Sequence, residues 1–285
     1  MLSKFPFSIL YPVSSVLSFF IFRVFRYRTK VIRRQIATSF PEKSEAWHQA
    51  TASKFYRNFT DIWIETIKAL TISKEELNQR VSFKDYHVLG DYLNNQQSCI
   101  ALSSHIGNWE WVLLRCSAQE GFETDAAYQK IESPFFSRLM LSIRSRFGAV
   151  LIERQQLLRA LIQRRNLTRA IAIIADQGPT KRVEMKHWWS FLNQPTSFYT
   201  AAAKMAISQN LPMLYSGMYR TSRGYYTVYF KLLAAPPYHN TDEVALTHLY
   251  KNSIEENIRM QPEAYLWSHR RWKRKIADFN KIITD

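Results

Sequence analysis

The run Cys99-Ile100-Ala101-Leu102-Ser103-Ser104-His105-Ile106-Gly107-Asn108-Trp109-Glu110-Trp111 decides how the rest of the chain is read. Residues 98–103 are small, mostly apolar and uncharged, the pattern of a short buried strand. Two serines, a histidine and a glycine break that pattern. From Trp109 to Cys116 the sequence turns helical, with Glu110 in the first turn, where a carboxylate suits the positive end of the helix dipole. A histidine therefore stands at the carboxyl end of a predicted strand, the region where active sites gather in open α/β sheets.

Helix geometry constrains the pair His105 and Glu110. Residues five apart on a regular helix point roughly 140° away from each other. The two side chains can meet only if His105 precedes the helix, with Gly107 allowing a tight turn. The acid could then hold one ring nitrogen and leave the other as a general base. The competing reading is a surface histidine in a turn and a glutamate that caps a helix.

The 285 residues, 46% of them hydrophobic, suffice for one large α/β domain or two small ones. Aromatic residues make up 14%, with eight Trp and fifteen Tyr, and suit membrane interfaces as well as cores. The net charge of +16 predicts an anionic partner: nucleic acid, anionic lipid or an acidic protein. The two cysteines, Cys99 and Cys116, provide neither a metal cluster nor a disulfide framework, and fit a reducing compartment. The histidines are scattered without ligand spacing, so no metal is expected. Nucleic-acid binding is a competing reading, prompted by the charge and the interleaved aromatics. No recognised nucleic-acid motif accompanies them, and the aromatics fall on helix faces that read as core.

Residues 5–22 carry no charge, are preceded by Lys4 and are followed by Arg23, Arg26, Arg28 and Lys30. This predicts a membrane-anchoring helix over residues 1–26, either spanning the bilayer or lying in its interface, although Pro12 and several serines interrupt it. The alternative is a buried helix of the globular domain. The basic residues that follow would hold the remainder on the cytoplasmic side of the inner membrane. Residues 27–285 read as a single α/β domain: a helical lead-in over 27–80, then a sheet core and basic tail over 81–285. Within it, Ser44 to Ala69 is a long amphipathic helix, and Ser73 caps the next short one. Strands are expected at 124–129, 149–152 and 169–175, the last ending in Asp176-Gln177-Gly178-Pro179. Helices are expected at 133–147, 157–165, 197–208 and 241–260, and a strand pair at 212–219 and 224–233, joined by Arg220 to Arg223. Asp176 by itself also reads as a turn residue capping its own backbone.

His105-Ile106-Gly107-Asn108-Trp109-Glu110 resembles the His-x4-acid signature of the lysophospholipid and glycerolipid acyltransferase superfamily, most of all its lipid A late acyltransferase branch. The likeness runs in order along nearly the whole chain. It includes Tyr27-Arg28 … Phe40-Pro41, Arg144-Ser145-Arg146-Phe147-Gly148, Asp176-Gln177, Trp188 to Gln194, and the tail Pro262-x-x-Tyr265-x-Trp267-x-His269-x-Arg271-Trp272-Lys273. Three departures are Gln35-Ile36 for a common Asn-Leu, Asn193 for a usual Gly, and Tyr128-Gln129-Lys130 for Tyr-Arg-Pro, the last bearing on the acceptor.

The resemblance implies a mostly parallel sheet flanked by helices and transfer of a fatty acyl chain from a thioester to a lipid hydroxyl. His105 is then the general base and Glu110 its orienter. Asp176 and Gln177 lie beside this pair and, with Asn108, Arg144 and Arg146, contact substrate. The oxyanion donors are backbone amides near Gly107 and Asn108, or one of the two arginines. No cofactor is implied beyond an acyl carrier protein or coenzyme A thioester as co-substrate. An acidic carrier protein, anionic inner-membrane lipids and a lipid acceptor are the expected partners. The basic run His269 to Lys275 could touch the first or second of these, or be a solvated face. A basic membrane- or nucleic-acid-binding protein without catalysis remains the alternative.

Overall fold

A computed structural model of the chain describes residues 2–179 and 185–274; the last residue of the basic run, Lys275, lies outside them. The N-terminal half begins with helices α1 (Phe7–Phe19), α2 (Thr29–Ser39), α3 (Glu45–Lys68) and α4 (Lys74–Arg80). Then come β1 (Val81–Lys84), α5 (His87–Asn94), β2 (Cys99–Ser103), α6 (Trp109–Ser117), β3 (Glu123–Tyr128) and α7 (Pro134–Arg144). These are followed by β4 (Val150–Glu153), α8 (Leu157–Gln163), β5 (Arg169–Ile174), β6 (Trp188–Phe191) and β7 (Gln194–Ser197). The chain closes with α9 (Ala201–Ser208), β8 (Met213–Ser222), β9 (Tyr225–Ala234) and α10 (Glu243–Met260).

Seven strands form one sheet in the order β1-β9-β8-β2-β5-β3-β4. All neighbours are parallel except the β8–β9 hairpin, so the α/β class and mostly parallel sheet expected from the sequence are present. Central β2 is buried along its whole length, as its uncharged sequence requires of a strand covered on both faces. Ile100 and Ile171 are fully buried, and each such side chain contributes about 1.5–3 kcal/mol by leaving water.

Two local expectations change. The helix expected from Ser197 begins only at Ala201, because Gln194–Ser197 pairs with Trp188–Phe191 as a two-stranded hairpin. Its turn residues Leu192 and Asn193 both have positive φ (50° and 60°), the geometry of a tight two-residue hairpin, and Asn tolerates it. The β8–β9 connection is also shorter than expected, since β8 runs on to Ser222 and leaves only Arg223 and Gly224 as the turn. Strand β1 and helix α5 carry short, weak patterns that the sequence reading does not single out.

Residues Phe7–Val24 form a helix long and apolar enough to cross a membrane. It continues through Pro12 and ends in a wider turn over Phe20–Val24. One face packs along α3, burying Phe7, Leu10, Ser14 and Ser18. The contact is also polar. Ser14 donates to Asp61 (2.6 Å), Tyr11 donates to Glu65 (3.1 Å), and Arg223 bonds both Asp61 and the Tyr11 carbonyl. The opposite face leaves Ile9, Val16, Leu17, Phe19 and Phe20 exposed.

Candidate active site

Strand register brings the site together. Ser103 at the end of β2 pairs with Ile174 at the end of β5. His105 and Asp176 each lie two residues further on, so the two side chains face one another across adjacent strand ends. His105 precedes α6, as the helix geometry demands, and Asn108 is the cap: its side chain accepts from the Trp111 amide (3.1 Å). Gly107 adopts φ +61°, and a Cβ there would press on Met218 Sδ at 2.9 Å, so the turn needs glycine twice over.

The imidazole is held by Asp176 rather than by Glu110. Nδ1 of His105 lies 2.6 Å from Asp176 Oδ1, and the His105 amide donates to Oδ2 (3.1 Å). Burial pushes the Asp176 carboxyl up. The charge and hydrogen bonds of His105, with help from Arg271, outweigh this and hold it below the usual value. An ionised carboxylate only accepts, so Nδ1 carries the proton, and a neutral imidazole held this way has its lone pair on Nε2. Gln177 Nε2 is 3.5 Å from that atom.

Glu110, expected to orient the ring, is instead committed to Arg144. The guanidinium makes two bonds to the carboxylate (2.6 and 2.8 Å), and Trp109 Nε1 adds a third (3.1 Å). The reason is spatial: the ring turns its Nδ1 toward β5, while Glu110 sits in the first turn of α6 against the last turn of α7. Trp109 connects the two pairs, its ring edge-on to His105 with centroids 5.0 Å apart.

His105, Glu110, Arg144 and Gln177 all line one cavity of about 960 Å³. The volume falls at the upper end of small-molecule sites, which run to about 1,000 Å³. Apolar side chains of α5, α6 and the sheet, among them Leu89, Val112, Ala126 and Phe230, form much of its wall. Cys116 lines it too, its thiol pushed up to about 12 by burial. Tyr128, Gln129 and Lys130, the departure noted in the sequence, also line it. Three expected substrate contacts do not. Asn108 is fully buried behind the loop, Arg146 donates to the Ala69 carbonyl, and Asp176 is buried with its carboxylate on His105.

Several positioning groups escape a sequence reading. Tyr250 on α10 accepts from the Ala175 amide (3.1 Å) and donates to the Ser103 carbonyl (2.5 Å), tying together the two strand ends. Buried Glu65 accepts from Asn108 (2.9 Å) and Tyr226 (2.7 Å) and so braces the histidine loop from beneath; burial pushes its carboxyl up. The tail clamps the same loop from above. Gly107 donates to Ala264 (3.0 Å), and Leu266 donates to the His105 carbonyl (3.1 Å). Gln35 in turn holds the tail, donating to Trp267 and His269 carbonyls and accepting from the Arg271 amide. The periodicity of α10 and α3 signals only that these positions are buried, not that a polar partner waits there. Among the described residues no cluster of three or more His, Cys, Asp or Glu side chains is placed to hold a metal ion.

A family model described as bacterial lipid A biosynthesis acyltransferase matches residues 1–274. No curated protein matches the chain.

Proposed function

The chain belongs to the bacterial lipid A biosynthesis acyltransferase family, and from that premise we propose how its own residues carry the transfer. The enzyme is an acyltransferase. His105 Nε2 takes the proton of a lipid hydroxyl as the oxygen attacks the thioester carbonyl carbon. The C–O bond forms, the C–S bond breaks, and the proton passes from His105 to the departing sulfur. Asp176 orients the ring and stabilises the imidazolium. The observation that carries this reading is the His105–Asp176 pair at 2.6 Å, whose histidine lines the large cavity.

Arg144 supplies the positive charge for the tetrahedral oxyanion, and Glu110 fixes its direction. Two of its five donors are spent on Glu110 and the others remain. Two of the alternatives have other commitments: the Gly107 amide bonds Ala264, and Arg146 bonds Ala69. The fatty acyl chain occupies the apolar part of the cavity, where each buried methylene contributes about 0.8 kcal/mol. The lipid acceptor enters past Tyr128, Gln129 and Lys130. The acyl donor is a thioester of an acidic carrier protein or of coenzyme A, attracted by the +16 surplus.

The exposed apolar face of α1 rests in the inner membrane, with the domain on the cytoplasmic side, where basic residues that follow the helix meet anionic lipid. Lipid mass spectrometry of a deletion strain, complemented with wild type or His105→Ala, tests the proposal. The deletion strain is expected to lack one acyl chain on a lipid A species. Wild type restores it and His105→Ala does not; restoration by His105→Ala would refute the mechanism.

A further inference from the structure

A second cavity, of about 180 Å³, lies beside the first, and Gly178 and His269 line both. Its remaining wall is unusual in charge: Arg270, Arg271, Lys273 and Arg274 line it, and among the described residues no carboxylate does. Among the described residues none of these four cations is in an ion pair with an acid.

Arg271 is built in rather than resting on the surface. Its Nη2 donates to the Ser197 carbonyl (2.6 Å), and its guanidinium lies over the Phe198 ring at 4.8 Å. Gly178 admits it, since a Cβ at that position would collide with Nη1. Two buried polar atoms of the lining residues have no hydrogen-bond partner: Arg271 Nε and Ser197 Oγ. Orphaned buried groups are costly, and these two are a guanidinium donor and a hydroxyl. His269, pushed down to about 4 by burial and by the charge of Arg271, is neutral at pH 7 and adds a hydrogen-bonding group without a charge.

Cations without an ion-pair partner among the described residues, together with spare donors, make a site for a tetrahedral oxyanion, although Arg271 also feels the charge of Asp176. Guanidinium groups favour phosphate because their forked donors match its oxygens. At about 30 Å³ per water-sized group, the cavity has room for a phosphate and part of its ester. We propose that it is a phosphate subsite, which takes a phosphomonoester or phosphodiester borne by one of the two substrates and so positions that substrate beside His105. This rests on the acyl-transfer reading, and the phosphate could belong to the donor's carrier arm or to the lipid acceptor.

The test uses the full chain in detergent, with Arg270→Ala, Lys273→Ala, their double variant, and Lys54→Ala on the exposed face of α3 as a charge control. In the first arm, pyrophosphate is titrated while tryptophan fluorescence is followed, since Trp188 and Trp272 line the cavity. A saturable change is expected, with a dissociation constant raised about tenfold or more in the double variant and unmoved in Lys54→Ala. In the second arm, kcat/KM is compared for an acyl-carrier thioester against a phosphate-free acyl N-acetylcysteamine thioester, and for a phosphorylated acceptor against its dephosphorylated form. The preference for phosphate should fall about tenfold or more in the double variant for one pair, and that pair identifies the source. No saturable binding, or saturable binding with both preferences unchanged, overturns the proposal. Pyrophosphate binding that depends on Arg270 and Lys273 in a protein that transfers no acyl group would leave the subsite standing and defeat the acyl-transfer reading instead.

Discussion

Asp176→Asn separates the two acids that compete for the role of orienter. The asparagine can keep one acceptor for the His105 amide, now 3.1 Å from Oδ2. At the other position an NH2 group replaces Oδ1, 2.6 Å from Nδ1, and it donates where the carboxylate accepts. The ring must then carry its proton on Nε2, and the atom that faces the cavity can no longer take one. General-base catalysis is worth about 10²–10⁴, so kcat should fall about 10³-fold, or about 4 kcal/mol at 1.36 kcal/mol per decade. KM should stay within about threefold, because Asp176 does not line the cavity.

Glu110→Gln leaves the histidine tautomer alone and loosens Arg144. Its loss should be about 10–10² in kcat, and the acid limb of the pH–rate profile should persist. The assay is steady-state acyl transfer with pH profiles for both variants. Retention of more than a tenth of wild-type kcat by Asp176→Asn, with loss of the acid limb in Glu110→Gln, would return the orienting role to Glu110. Stability offers an independent readout. The Asp176 carboxyl is lowered in the folded state, so its contribution is complete above the unfolded value near 3.9 and is lost as pH falls through the lower folded value. Urea unfolding at pH 7 should show Asp176→Asn less stable by about 1.5–3 kcal/mol, the worth of a charged hydrogen bond, and the gap should narrow toward pH 3.

Three further outcomes are expected. Lengthening the donor chain should lower KM about fourfold per methylene, from about 0.8 kcal/mol each, until the cavity is full, and Cys116→Trp should move that break to shorter chains in a chain-length series. Gly107→Ala should lower the melting temperature and kcat together, since φ +61° alone costs an L-residue about 1–2 kcal/mol before the contact with Met218 is counted; an unchanged melting curve would contradict the loop geometry. His269, at about 4 when folded and 6.5 unfolded, binds fewer protons in the native state between those values, so its effect on stability is unfavourable below that window and relieved as pH rises through it. His269→Asn should therefore gain on wild type as pH falls from 6.5 to 4 in thermal unfolding.

The sequence by itself determined the class of fold and placed His105, the base we propose, at the end of a strand. The uncharged run over β2, the break at His105 and the dipole-suited Glu110 are local signals, each set by a few neighbouring residues. The order of motifs along the chain carried the family, which the match over residues 1–274 supports. The partner of His105 was decided only by tertiary structure. His105 and Asp176 are 71 residues apart, and nothing local to either sets their distance. Parallel pairing of β2 with β5 in one register, stapled by Tyr250, sets it instead. The same pairing turns the ring away from Glu110, whose spacing made it the natural choice on paper, and leaves that acid to hold Arg144. Local chemistry fixes which residue can act as a base; strand register, a property of two distant segments at once, fixes which acid it leans on.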